Sequence, residues 1–297
     1  MSTQATHEAM AGASRVLLES WDQFLNRPGD SITFGTRERR PSAGRFATVW
    51  ALAAHSHRLA STALATLESN PGVEAGPSVR AAWEHAVQAI WVAQLDHAHW
   101  AVSQRRTKHI RDLDNTLLKS RDKDLRTQAE AHLVELEQAT SQESGSWVSP
   151  HSVQLGNFEA LCEDLEPGGA DLYWLYRALC QTTHPSVYAL DGYISGDADT
   201  WGVQPEPEVG RFESMRAFHV LRILEALIWA GQAVDYMDRD GNTWRNILRS
   251  TADEFDIERH LRPTHAAKKR DVAPPARPNP AAVEARAREL FGVAKIG

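Results

Sequence analysis

Apolar positions recur at three- and four-residue intervals along nearly the whole chain, and no alternating β-branched run bounded by turns interrupts them. The pattern predicts an all-α multi-helix bundle. A first helix is expected over Glu8 to Asn26, stopped by Pro28-Gly29-Asp30, and a second through Phe46, Val49, Trp50, Ala53, His57 and Ala60, ending near Ser69 to Gly72. The third runs from about Ser78. Its Val79, Trp83, Val87, Ile90, Trp91, Val92 and Leu95 cover most of the circumference, which predicts a buried, central helix. Phe218, Leu221, Leu224, Leu227 and Ile228 mark a second central helix packed against it.

The segments between these two are more polar. Asp124 to Gln138 reads as an exposed amphipathic helix, Ser141 to Pro150 as a loop, and Phe158 to Leu165 as a short helix. After Pro167-Gly168-Gly169, Asp171 is placed to cap a helix carrying Leu172, Leu175, Tyr176 and Leu179 on its packing face. Residues 187–194 suggest a short helix and Ser195 to Gly210 a long surface loop. Asp240-Gly241-Asn242 then turns into a last helix, Thr243 to Leu261. The organisation expected is an N-terminal helix and linker over 1–42, a helical bundle over 43–262, and a flexible, extended tail rich in Pro, Ala and basic residues over 263–297.

Composition narrows the class. A chain of 297 residues with 42% hydrophobic residues and ten tryptophans can bury a substantial core. Its two cysteines supply neither a disulfide framework nor zinc-ligand spacing. The polar first ten residues lack a signal pattern, no stretch reaches about 18 continuous apolar residues, and a cytoplasmic location is expected. A net charge of −7 argues against a protein that coats nucleic acid generally, although eight basic residues between Arg105 and Arg126 face only four aspartates.

The sharpest chemical signal is Leu172-Tyr-Trp-Leu-Tyr-Arg177-Ala-Leu-Cys-Gln-Thr-Thr-His184-Pro-Ser. Arg-x(4–6)-His spacing occurs four times, as Arg80 with His85, Arg126 with His132, Arg177 with His184, and Arg259 with His265. On an ideal helix the directions differ by about 140° in the first pair and about 120° in the second, but by only about 20° in the third. Pro263 interrupts the fourth. Tyr173, Arg177, Gln181 and His184 therefore form one stripe, with His184 placed near a helix C-terminus by Pro185. The negative end of the helix dipole favours a protonated ring there. A fixed guanidinium beside an imidazole suits phosphodiester chemistry, in which one group moves a proton and the other holds negative charge on phosphate oxygens.

A purely structural use of the same residues is open too, with His184 capping a helix end and Arg177 pairing with Glu84. Arg80 and Glu84 stand one turn apart on the third helix and form either a local ion pair or part of a polar cluster. Tyr173 and Tyr176 are candidates for lining a cleft. Glu-x-x-His pairs, glycine-rich phosphate loops, Gly-x-Ser-x-Gly and Cys-x-x-Cys are absent, so no metal or cofactor is expected.

The Arg80-x-x-x-Glu84 helix, followed much later by Tyr-Arg-x(6)-His-Pro-Ser, resembles the bacterial HEPN superfamily over residues 43–240. That resemblance implies a helical bundle, usually dimeric, and metal-independent endoribonuclease activity of the toxin–antitoxin or antiviral kind. It implies Arg177 and His184 as catalytic residues, supported by Arg80, Glu84, Tyr173 and Gln181. RNA would be the substrate, with a homodimer completing the site and a protein antitoxin or regulator as partner. The family commonly has a polar residue after the motif arginine, whereas this chain has Ala178. Some members are binding modules only, and the competing expectation is a non-catalytic helical module for a protein partner or nucleotide.

Overall fold

The computed structural model describes residues 3–26, 43–69, 73–141, 147–183, 193–197, 200–203, 213–237 and 242–273. Its architecture is all-α. Four long helices carry the core: α1 (Thr3–Leu25), α2 (Ala43–Ser69), α3 (Gly76–Gln94) and α9 (Glu213–Met237). Around them lie α4 (Ala98–Leu117), α5 (Lys123–Ser141), α6 (Ser152–Gly156), α7 (Phe158–Glu163), α8 (Gly169–Cys180), α10 (Asn242–Glu254) and α11 (His265–Arg270).

The expectation for the third helix holds, since Trp83, Val87, Ile90, Trp91 and Val92 are all buried and α3 packs against both α2 and α9. In α9, Val220, Ile223, Leu224, Leu227 and Ile228 are likewise buried. Two charges enter this core. Arg222 Nη2 pairs with Glu225 Oε1 at 2.9 Å, and Trp83 donates its indole N–H to Glu225 Oε2 at 2.9 Å. Burial raises the Glu225 carboxyl above its ordinary range, against the pull of Arg222 and the Trp83 bond. By length and composition α9 is apolar enough to cross a membrane, yet 78% of its most apolar window is buried within the bundle. Packing against α1, α2, α3 and α10 accounts for that apolarity.

At the far end of α3 the buried Arg45 of α2 donates to the carbonyls of Val92 and Ala93 and pairs with Asp96 at 2.5 Å. It thereby gives a partner to the Ala93 carbonyl at the C-terminus of α3 and a second one to that of Val92, which also accepts from Leu95 N–H at 3.4 Å. Asp271 serves the opposite polarity, accepting from the backbone N–H groups of Asp96 and His97 at the start of α4. His151 contributes a third contact at 3.1 Å. Burial alone would raise the Asp271 carboxyl, but the His151 bond and the two amides outweigh it and hold its pKa below the ordinary value.

Four local expectations are corrected. The N-cap of α8 is Gly168 at φ 87°, not Asp171, which lies in the first helical turn and acts there only as a favourable charge on the helix dipole. Glycine is needed at 168 for that left-handed backbone. Ile194, the last residue of the helix expected over 187–194, and Ser195 to Asp197, read as loop, form a strand that pairs antiparallel with Thr200–Val203. Gly196 and Gly202 leave too few side chains to register an alternating signal. The last helix ends at Glu254 rather than Leu261, with Asp256 in a left-handed conformation just beyond.

Nor does the tail begin at Pro263. Arg262–Pro263 pairs with Leu165–Glu166, Thr264 caps α11 by accepting from Ala267 N–H at 3.2 Å, and Arg270 pairs with the buried Asp164. This strap is polar in sequence because it is held by backbone pairing and ion pairs rather than by an apolar stripe. The predicted stop at Pro28-Gly29-Asp30, most of the short helix at 187–194, and the tail from 274 onward lie outside the described residues.

Candidate functional site

The two halves of the sequence signature meet across the α3–α8 contact. Leu172 and Leu179 anchor α8 against the core, and Tyr176, between them on the same face, reaches α3. Arg80 Nη2 donates to the Tyr176 hydroxyl at 2.7 Å, and its guanidinium carbon lies 4.9 Å from the ring centroid. Glu84, one turn along α3, completes the group with an oxygen 3.9 Å from Arg80 Nη2. Burial first, then the nearby Glu84, pushes the Tyr176 phenol above its ordinary pKa, although Arg80 pulls the other way. The hydroxyl is therefore a neutral acceptor for Arg80 at neutral pH.

An aromatic chain ties this cluster to the core. Tyr176 lies 4.5 Å from Phe158 between ring centroids, Phe158 lies 6.2 Å from Trp83 edge to face, and Trp83 holds the buried Glu225. Tyr173 stacks beside Tyr176 at 6.2 Å. Both tyrosines are half-buried, so they form the wall between the packed interior and the outer face of α8.

Arg177 stands on that outer face. Its neighbour Tyr173, one turn back, is the main influence raising the guanidinium pKa above its ordinary value. The stitch between helices expected of Arg177 with Glu84 is made instead by Tyr176 and Arg80. The register explains the exchange. Positions 172, 176 and 179 share the face turned to α3, whereas 177 lies about 100° further round. Trp174, 67% exposed, accompanies Arg177 outward and escaped notice in the sequence because one tryptophan among apolar neighbours reads as core.

His184 lies outside the described residues. What precedes it is defined. Helix α8 ends at Cys180, and the next amides, of Gln181, Thr182 and Thr183, bond three residues back to Ala178, Leu179 and Cys180. The hydroxyls of Thr182 and Thr183 both donate to the Leu179 carbonyl, at 2.9 and 2.8 Å, and tighten this turn. The unbroken helical phase assumed between 177 and 184 therefore stops short of the histidine. Gln181 is exposed at the C-cap of α8.

One glycine fixes where this helix end sits. A Cβ on Gly76 would fall 2.3 Å from Thr182 Oγ1 and 2.7 Å from its Cβ, so only glycine admits Thr182 against the first residue of α3. Arg80 follows one turn later. The segment entering His184 is thus tied to the end of α3 that bears Arg80 and Glu84. Among the described residues no group of three His, Cys, Asp or Glu side chains is arranged to hold a metal ion.

Comparison with known proteins adds nothing to this geometry: no family model, no curated protein and no solved structure matches the chain.

Proposed function

We propose that the protein is a metal-independent endoribonuclease whose site is built at the α3–α8 junction. The observation that supports the reading is the Arg80–Tyr176 bond. It joins the Arg80-x-x-x-Glu84 signature to the Tyr176-Arg177-x(6)-His184 signature, which are 96 residues apart in sequence. In the proposed reaction a ribose 2′-oxygen attacks the adjacent phosphorus. His184 takes the 2′-hydroxyl proton or donates one to the leaving 5′-oxygen, and Arg177 stabilises the charge gathered on the phosphorane oxygens. The P–O5′ bond breaks, leaving a 2′,3′-cyclic phosphate and a free 5′-hydroxyl. Arg80 and Glu84 act as positioning residues through Tyr176, and a second copy of the chain would bring two such sites together, as the HEPN resemblance implies.

The test is incubation of purified protein with mixed RNA in excess chelator, beside folded Arg177→Ala and His184→Ala variants. Cleavage that survives chelation, yields cyclic phosphate ends and falls by about 10²-fold or more in each variant is the expected result. Equal cleavage by the variants, or none by the wild type, overturns it. A non-catalytic binding surface is the second reading, and the exposure of Trp174 beside Arg177 favours it, because stacking and charge there need no proton transfer.

A further inference from the structure

Two histidines outside the α3–α8 site meet across the α2–α3 interface. His55 of α2 and His85 of α3 have ring centroids 4.8 Å apart, with the ring planes at 60°. Sequence spacing conceals the pair, because the histidine nearest to His55 in the chain, His57, lies about 160° round α2 and is buried in the core. His55 is exposed and His85 half-buried, so the pair is open to solvent. Its supports are fixed. The buried Ser56 hydroxyl donates to the Ala82 carbonyl at 2.8 Å, which pins α2 to α3 one residue from His55 and one turn from His85.

Both rings carry a lone pair at neutral pH. His85 Nδ1 donates to the Ala81 carbonyl of its own helix at 2.6 Å, which leaves the lone pair on Nε2. His55 makes no hydrogen bond, and partial burial, then the facing His85 and the nearby Arg58, lower its pKa below the ordinary value. Arg58 opposes a bound cation, but its side chain is exposed and screened by water and salt. The spacing suits one shared ion. With metal–nitrogen bonds of about 2.05 Å, and about 1.15 Å from nitrogen to ring centre, two imidazoles set at about 90–110° on a metal have centroids roughly 4.5–5.2 Å apart. The observed 4.8 Å falls in that range. We infer that His55 and His85 together bind a divalent transition-metal ion of the zinc or copper class, bridging α2 and α3, with solvent filling the remaining coordination positions. Imidazole suits these ions, whereas magnesium and calcium take oxygen. The inference does not rest on ribonuclease activity, and His85 lies about 100° round α3 from Glu84.

The experiment is calorimetric titration of the full chain with zinc chloride, copper sulfate and magnesium chloride in turn, at about pH 7.5 and about pH 5.5. Saturable zinc binding, tighter copper binding and no magnesium binding are the expected results, with zinc affinity falling by more than about tenfold at the lower pH as protons compete for the imidazoles. His55→Ala and His85→Ala should each weaken zinc by about tenfold or more, at least the cost of losing an outer-shell partner. His109→Ala, on the exposed face of α4, should leave it unchanged. Zinc should also raise the Tm of the wild type and of His109→Ala, but of neither other variant. The inference fails if the wild type shows no saturable zinc binding, if magnesium binds as zinc does, or if either folded variant of the pair keeps wild-type affinity.

Discussion

Three buried imidazoles set the acid response of single residues. His57 stacks on Trp21 at 4.0 Å and donates from Nδ1 to the Ala53 carbonyl, while His219 has no hydrogen-bond partner at either ring nitrogen. Burial lowers the pKa of each to about 4, and burial followed by the nearby His97 and Arg45 does the same to His99. Because the folded values lie below the unfolded value of about 6.5, the unfolded chain binds more protons between those limits. Stability is therefore full above about pH 6.5 and falls as pH drops toward 4, by up to ~3 kcal/mol for each fully buried ring. Urea midpoints at pH 7, 6 and 5 should decline in that order, with His57 and His219 remaining neutral by NMR at pH 6. Tyr176→Phe should cost ~1–3 kcal/mol, because it removes the hydroxyl that accepts from Arg80 Nη2 in a half-buried setting. Denaturant unfolding measures it, and a change below a few tenths of a kcal/mol would show that the stitch carries no energy. These roles were partly legible beforehand. The sequence placed Tyr176 with the packing residues of α8 and Arg177 on the polar stripe, but apolar periodicity does not say which side chain of another helix meets each face, so the Arg80–Tyr176 bond itself was not legible.

At the scale of elements, long helices announced themselves and short pieces did not. The centrality of α3 and α9 followed from apolar side chains around the whole circumference, a signal repeated over five or more turns. The β-hairpin at Ile194–Val203 and the strap at Arg262–Asp271 are too short to repeat anything, and both are held by backbone pairing that side-chain pattern does not record. Glycine carried the remaining hidden information. Gly76→Ala should destabilise the protein by ~1–3 kcal/mol through overlap with Thr182, and should lower RNA cleavage more than the stability loss explains if the α8 terminus positions the site. The readouts are urea midpoint and cleavage rate of the folded fraction. Asp271→Asn should also be felt at a distance. It weakens three contacts that fasten the strap to α4 and His151, and limited proteolysis of the C-terminal segment should accelerate relative to wild type.

For the whole molecule, the distribution of packing predicts uneven stability. Helix α5 packs mainly on α4, the pair exposes most of its surface, and the buried carboxylate of Asp114 meets the half-exposed His132 at 3.0 Å between them. Amide hydrogen exchange in α5 should be orders of magnitude faster than in α3 and α9, where the largest fully buried side chains lie. Equal protection in all three would mean that the α4–α5 pair unfolds only with the rest of the chain. The central pair carries a further consequence for synthesis. Helix α3 leaves the ribosome with tryptophan on its surface, yet the helix that covers it is not complete until Met237 has been added. Until then Trp83 lacks the Trp229 ring and the Glu225 carboxylate that it meets in the folded protein, and the growing polypeptide offers a sticky, aromatic rod to whatever chaperone attends it.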